Sequence, residues 1–127
     1  MGQRPGWVPP PVYAVQIEEV RSGDDLIVLV NLGVDNLHKR VRVRLAGVDT
    51  PDAYKVAAQT EAGQLRDTVR RLVRGTCFIK VRRQTSASWL VELLVVPAGA
   101  APEDPMNLLN VNTWLIERGY GFPHPGP

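Results

Sequence analysis

Apolar residues at every second position predict strands in the first part of the chain. The alternation is clear over Val12–Val20 and His38–Ala46, and the apolar, β-branched run Asp25–Leu32 lies between them. Two polar segments, Arg21–Asp24 and Gly33–Asn36, contain residues typical of turns and separate the three stretches. The sequence therefore predicts a meander of three strands.

Helical spacing replaces this alternation in the middle of the chain. Apolar residues recur three and four positions apart, with arginine and glutamine on the other face: Ala62, Leu65, Val69, Leu72 and Val73. Glycine commonly ends helices, and Gly75 follows this stretch. We therefore expect one amphipathic helix that ends before Gly75.

Two more strands and a short helix complete the predicted elements. The strands are Thr76–Arg82 and Trp89–Val96. Asn110 is a good N-cap for a final helix that runs to Arg118, and Gly119 suits the left-handed conformation that ends it. The order β-β-β-α-β-β-α predicts an α+β fold: a five-stranded OB-type β-barrel with one helix between strands 3 and 4 and a short C-terminal helix.

Proline and glycine mark the limits of one domain. We expect a Pro-rich N-terminal arm at residues 1–11, the barrel domain at residues 12–121 and a Pro-rich tail at residues 122–127. The Pro-rich arms are the expected contacts for protein partners.

Nothing in the sequence indicates a membrane or a secretory route. No apolar run reaches the roughly 18 residues of a membrane span. The first residues lack the apolar core of a signal peptide, and the single Cys77 has no partner for an internal disulfide. We therefore expect a cytoplasmic protein, or one within an assembled particle, with no membrane partner.

Charge is unevenly distributed along the chain. The composition, with 44% hydrophobic and 22% charged residues, is that of an ordinary soluble domain, and the formal net charge is only +2. Basic residues are nonetheless concentrated in segments 38–44 and 66–83. A solvated surface explains one such cluster, whereas two clusters beside a carboxylate-rich loop favour DNA or RNA as partner. The candidate nucleic-acid contacts are Lys39, Arg42, Arg82 and Arg83.

A loop rich in carboxylates follows the third predicted strand. Asp49-Thr50-Pro51-Asp52 comes shortly after Arg44, and Gly23-Asp24 precedes the second strand. Converging carboxylates bind hard cations such as calcium, and a guanidinium binds phosphate with two parallel hydrogen bonds. Ordinary turn chemistry also accounts for each motif taken alone. Together these residues suit phosphodiester chemistry.

Four motifs occur in a defined order along the chain. They are Gly23-Asp24; Arg44 five residues before Asp49-Thr50-Pro51-Asp52; Glu61-Ala62 through Arg74-Gly75 with Phe78-Ile-Lys-Val81 after it; and Val111-Asn112-Thr-Trp-Leu115-Ile-Glu-Arg-Gly119. In these motifs, over about residues Val12–Gly121, the chain resembles the staphylococcal nuclease (thermonuclease) family. The resemblance implies the same OB-type barrel.

The resemblance also implies a calcium-dependent phosphodiesterase that acts on DNA or RNA. It assigns a Ca²⁺ ion to Asp24 and Asp49, with help from the Thr50 carbonyl oxygen. It assigns the scissile phosphate to Arg44, and gives Asp52 the role of the glutamate that orients or deprotonates the attacking water. Metal and guanidinium would stabilise the charge that develops in the transition state.

The chain departs from the family's pattern at catalytic positions, so an inactive module has to be considered beside an active nuclease. Asp52 is one methylene shorter than glutamate, and a misplacement of about 1 Å can cost about 10²-fold in rate. Ala87-Ser88-Trp89 stands where the family has Tyr-Gly-Arg, which leaves Arg82 or Arg83 as substitutes. We therefore expect an attenuated nuclease. The alternative is a catalytically inactive assembly module of a larger complex, such as a phage virion, in contact with nucleic acid.

Overall fold

The structure of the chain, a computed structural model, describes residues 12–51, 60–74, 76–96 and 108–123. Its strands are β1 (Val12–Ser22), β2 (Asp25–Asn31), β3 (His38–Leu45), β4 (Val48–Asp49), β5 (Cys77–Gln84), β6 (Trp89–Val95), β7 (Leu109–Asn110) and β8 (Phe122–Pro123). Its helices are α1 (Glu61–Leu72) and α2 (Val111–Glu117). The predicted N-terminal arm and residues 124–127 of the predicted tail lie outside the described residues.

Five long strands close into a barrel. β1 pairs antiparallel with β2 and β5, β2 with β3, and β5 with β6. The closing pair is parallel, with Val43–Leu45 of β3 opposite Trp89–Val91 of β6. This connectivity, with α1 between the third and fourth barrel strands, is that of an OB-type barrel, so the fold predicted from the sequence is confirmed.

Alternation along the strands fills the inside of the barrel. On β3, Val41, Val43 and Leu45 are buried, while the arginines between them stay partly exposed. The other barrel strands contribute fully buried side chains in the same way: Leu26, Val28, Val30, Ile79, Val91, Leu93 and Val95. Each buried aliphatic side chain of this size stabilises the fold by about 1.5–3 kcal/mol. The burial of every second side chain inside the barrel is thus the main source of stability.

One end of the barrel is covered by α1. Thr60 caps the helix by accepting a hydrogen bond from Gly63 N. Leu65 and Val69 are buried, and Arg70 donates a hydrogen bond to the Val20 carbonyl oxygen. We call this the helix end. The opposite end, where β1, β3 and β6 begin and β2 and β5 end, is called the far end.

Asn112 attaches α2 to the seam between β3 and β6. Its side-chain Nδ2 donates hydrogen bonds to the carbonyl oxygens of Ala46 at 2.8 Å and Val91 at 3.0 Å. Its Oδ1 accepts a hydrogen bond from Leu93 N at 3.0 Å. A buried amide with these three partners is fully engaged, and it fixes how α2 sits on the barrel.

The ends of the long elements agree with the sequence to within one or two residues. Asn110 caps α2 through Thr113 N, and Gly119 has the expected positive φ of 74°. Three two-residue strands were not predicted. Two of them pair with each other: β8, which the sequence assigned to the tail, pairs with β4. No helix in the described part of the chain has the length and hydropathy needed to cross a membrane.

Candidate functional site

The turn between β1 and β2 holds the Asp24 carboxylate inside the protein. Asp24 is 2% exposed, and its Oδ1 accepts hydrogen bonds from Thr50 Oγ1 at 2.8 Å and Ser22 Oγ at 3.3 Å. Gly23 permits this close approach, because a Cβ at that position would lie 2.9 Å from Thr50 Oγ1. Asp24 and Thr50, which belong to separate sequence motifs, are thus in direct contact.

Arginines on β3 bind the carboxylates at the start of β2. Arg44 Nη2 donates a hydrogen bond to Asp24 Oδ2 at 3.2 Å. Arg42 binds Asp25 through two bonds, from Nε to Oδ1 at 2.9 Å and from Nη2 to Oδ2 at 2.7 Å. Paired hydrogen bonds of this kind are among the strongest polar contacts in proteins. Arg44 therefore points towards Asp24, and Arg42 occupies the neighbouring Asp25.

The described carboxylates do not form the ligand set that calcium requires. Calcium takes about six to eight oxygen ligands, several of them from carboxylates. Both oxygens of Asp24 already accept hydrogen bonds from side chains, and both oxygens of Asp25 bind Arg42. Within the described ranges, no group of three His, Cys, Asp or Glu side chains could hold a metal ion. Calcium binding stays a prediction that these donors do not support.

The other residues assigned to catalysis contribute less to this cluster. Asp49 is exposed on β4, where its backbone pairs with Phe122. Thr50 contacts Asp24 through its hydroxyl group, whereas the resemblance gave a role to its carbonyl oxygen. Asp52 lies outside the described residues. The structure thus joins Asp24, Arg44 and Thr50, and a joint metal role for Asp24 and Asp49 stays a prediction.

The outer faces of β3, β5 and β6 carry most of the cations near this cluster. We call these three faces together the basic face. Four of its arginines form ion pairs: Arg40 with Glu18, Arg42 with Asp25, Arg44 with Asp24, and Arg82 with Glu92. Three further cations take part in no ion pair within the described residues: Lys80 and Arg83 on this face, and Lys39 at the rim, where it lies over the Trp89 ring. The surplus of positive charge therefore comes from these three side chains.

Arg83, Leu90 and Arg44 lie side by side across the basic face. Arg83 of β5 is opposite Leu90 of β6, and Leu90 is opposite Arg44 of β3. Opposite residues project to the same side of a sheet, and strands lie about 4.8 Å apart, so the Cα atoms of the two arginines are about 10 Å apart. We call Arg44 and Arg83 the arginine pair. Two extended guanidinium groups can reach one anion above Leu90.

A register shift in β5 brings Arg83 into this row. The shift lies between Val81 and Arg83, and the two adjacent arginines, Arg82 and Arg83, are both exposed. In a regular strand only one of them would face this surface, but a bulge lets two residues oppose one. The sequence carries no signal for the bulge. Arg83 was a candidate from its charge and, with Arg82, as a substitute for the arginine missing at Trp89, and its place beside Leu90 emerges only from the fold.

Trp89 packs at the far end, on the inner side of β6. Trp89 and Tyr13 are half-buried against the core, with ring centroids 6.2 Å apart. Lys39 Nζ lies 5.9 Å from the centroid of the Trp89 ring. Because Trp89 turns inwards, the side chain beside Arg44 on the outer face is Leu90. Sequence reasoning missed Tyr13, although its inward position in the alternation of β1 was the available signal.

Comparisons with known proteins assign no family to this chain. No protein-family model matches the sequence, and no curated protein matches it. One similar solved structure is the human TDRD1 extended Tudor domain in complex with a symmetrically dimethylated peptide. It has a TM-score of 0.48 and 13% sequence identity, over 98% of this chain and 71% of that chain. The assignment of the fold rests on the barrel's own connectivity, and membership of the staphylococcal nuclease family stays a prediction.

Proposed function

We propose that this chain is a non-catalytic OB-barrel module that binds a single strand of nucleic acid across its basic face. The observation that carries the proposal is the arginine pair, Arg44 and Arg83, on either side of Leu90. Guanidinium groups bind phosphate through several directed N–H groups, and OB-type barrels offer this part of their surface to oligonucleotides. The arginine pair is the expected phosphate site.

The state of the carboxylates supports binding without cleavage. Cleavage by metal catalysis needs carboxylate oxygens that are free to bind the ion. Here Arg42 and Arg44 neutralise Asp25 and Asp24, and hydroxyl groups occupy the second oxygen of Asp24. The two carboxylates therefore orient β3 arginines instead of a metal ion.

The spacing of cations suits an extended polyanion. Arg40, Arg42 and Arg44 alternate along β3, so successive side chains are about 6.7 Å apart. This spacing is comparable with the distance between neighbouring phosphates in an extended single strand. Their carboxylate partners offset most of their charge, so Lys39, Lys80 and Arg83 supply the net attraction.

A calcium-dependent nuclease of reduced activity is the second candidate function. The contact of Asp24 with Arg44 and Thr50 favours it, because the resemblance assigns these three residues to one site. Against it stand the occupied carboxylate and the apolar Leu90 beside Arg44. The two candidates differ in whether bound nucleic acid is cleaved.

Binding is tested by fluorescence anisotropy with a labelled oligo(dT) of about ten nucleotides. Three unpaired cations, at about −0.7 per phosphate contact, predict a slope of about −2 for log K against log salt concentration. Arg83→Gln is expected to reduce that slope by about 0.7. The matched control is Arg71→Gln, which removes the same charge from the exposed surface of α1 and leaves the slope unchanged. An unchanged slope in Arg83→Gln contradicts the proposed face.

Cleavage is tested on the same oligonucleotide with calcium or with EDTA. We expect intact oligonucleotide in both conditions at protein concentrations that saturate binding. Cleavage that requires calcium, and that Asp24→Asn abolishes, would replace the proposed function with the nuclease. The binding module is supported if removal of the charges of Arg83 and Lys80 abolishes binding and no cleavage occurs in either condition.

A further inference from the structure

We propose that the Trp89 ring at the far end stacks on a base of the strand whose phosphate lies at the arginine pair. This inference rests on the proposed function, since it assumes that a nucleic-acid strand follows the basic face. Trp89 directly precedes Leu90, and Leu90 lies between the two arginines. A strand that crosses the basic face at Leu90 therefore reaches the barrel rim at Trp89 within one residue of β6.

The aromatic side chains at the far end form a fixed platform. Trp89 and Tyr13 pack on the core and on each other at 6.2 Å, which holds both rings in place. Both are only half-buried, so part of each ring faces solvent. Bases stack on such rings with little dependence on sequence, because every base has a planar face.

Lys39 covers the Trp89 ring in a way that a base can replace. Its ammonium group lies 5.9 Å from the ring centroid, near the outer limit of a cation–π contact, and is in no ion pair within the described residues. A contact of this kind at an exposed site is weak. When a base takes the ring face, the flexible lysine side chain can turn to the adjacent phosphate. One residue thus changes partner without leaving a buried charge.

The turn between β2 and β3 extends the platform with apolar side chains. Leu32, Val34 and Leu37 are exposed by 39%, 56% and 54%, at the same end of the barrel as Trp89. The turn is held in one shape by hydrogen bonds from Leu32 N to Leu37 O and from Leu37 N to Val34 O. Asp35 and Asn36 adopt positive φ values of 47° and 57° within it. These apolar groups are therefore presented to a ligand by a defined loop.

The charges around the platform favour a nucleotide over a purely apolar partner. Lys39 lies over the Trp89 ring, Arg83 lies on the outer face opposite the next residue, Leu90, and Asp35 is the acid of the adjacent turn. A nucleotide carries an anion and a planar apolar ring in one repeating unit. That combination matches an aromatic ring with Lys39 over its face and Arg83 one residue away on the outer surface.

The test compares oligo(dT) with an abasic oligonucleotide of equal length and charge. Stacking of one base is expected to make oligo(dT) bind about fivefold tighter or more. Trp89→Leu is expected to remove this preference while the affinity for the abasic strand is unchanged. Trp89→Phe, which keeps an aromatic ring, is the matched control and retains most of the preference. Salt dependence, which reports phosphate contacts, should be the same in all three proteins.

A second measurement keeps the native residue. In the variant Trp7→Phe, Trp114→Phe, Trp89 is the one remaining tryptophan of the three in the chain. Its fluorescence is expected to fall on addition of oligo(dT) and to stay constant with the abasic strand. Equal affinity for both strands with unchanged fluorescence would overturn stacking, leave phosphate binding intact and assign the apolar turn to a protein partner. Failure of both strands to bind would overturn the proposed function itself.

Discussion

The β3 arginines differ in how deeply their carboxylate partners are buried. Asp25, the partner of Arg42, has a side chain that is 9% exposed, whereas Glu18, the partner of Arg40, is 34% exposed. A buried carboxylate cannot recover its lost partner's hydrogen bonds from water, but an exposed one can. Two arginines with the same chemistry on one strand therefore have different energetic roles.

Substitution of these two arginines measures that difference. Arg42→Gln is expected to lower the free energy of unfolding by about 1–3 kcal/mol, because it leaves Asp25 buried without its bidentate partner. Arg40→Gln, which breaks an exposed pair, should change it by less than about 1 kcal/mol. Urea unfolding followed by circular dichroism, with unchanged m-values, makes the comparison. Equal losses in both variants would mean that burial does not decide the role.

The Cys77 thiol is a second residue whose chemistry follows from burial. Burial raises the pKa of Cys77 from 9.0 to about 11, because the thiolate loses its hydration. The folded state therefore keeps its proton at a pH where the unfolded state has lost it. Stability from this group is fully present below pH 9 and declines as the pH rises towards about 11.

Two measurements check this prediction. A thiol reagent should react slowly with the native protein at neutral pH and promptly in urea, because only the thiolate is nucleophilic. Cys77→Ala should lower stability through the lost packing, yet its unfolding free energy should fall less steeply than that of the native protein as the pH rises through this range. Rapid modification of the folded protein would show that Cys77 is more accessible than its burial indicates.

At the scale of elements, α2 depends on two asparagines with different tasks. Asn110 caps the helix at the surface, and Asn112 binds three backbone groups of the barrel in the interior. The first task can be read from the sequence, because asparagine before a helical segment is a known cap. The second depends on the meeting of β3, β6 and α2, which are far apart in sequence.

A pair of substitutions separates capping from attachment. Asn110→Ala is expected to cost about 1 kcal/mol, the usual value of an N-cap. Asn112→Leu should cost more, at least about 2 kcal/mol, because it removes three hydrogen bonds, including the one that buried Leu93 N donates, although the Val91 carbonyl oxygen keeps a hydrogen bond from Ala46 N. Thermal unfolding of both variants gives the comparison. Equal costs would show that the barrel satisfies those backbone groups without Asn112.

The contrast between local patterns and contacts remote in sequence explains which elements could be predicted. Long strands were found because their residues alternate between core and solvent, and α1 because its apolar residues follow the helical period. The two-residue strands β4, β7 and β8 are too short to show a period, and their pairings, β4 with β8 and β7 with β6, depend on segments that only the fold brings together. The bulge before Arg83 escaped prediction for the same reason.

At the scale of the whole molecule, closure of the barrel decides what the site contains. The sequence placed Asp24, Arg44 and Thr50 in one hypothesis, and the structure brings these three together. Closure through β3 and β6 also places apolar Leu90 beside Arg44 and turns Trp89 to the inner side. Neither outcome can be read from motifs, because both depend on the register of a parallel pair that is remote in sequence.

Calcium tests whether Asp24 belongs to a metal site or is held by its ion pair with Arg44. A cation bound only by the folded state stabilises it, by about 2.7 kcal/mol at one hundred times its Kd. Since Asp24 is already bound by Arg44, Thr50 and Ser22, we expect millimolar calcium to leave the Tm where magnesium or EDTA leaves it. Differential scanning calorimetry measures this, with Asp24→Asn as the matched variant that keeps the shape and removes the charge. A calcium-specific rise in Tm that vanishes in Asp24→Asn would show that the metal displaces the arginine, and the nuclease would then be the better assignment.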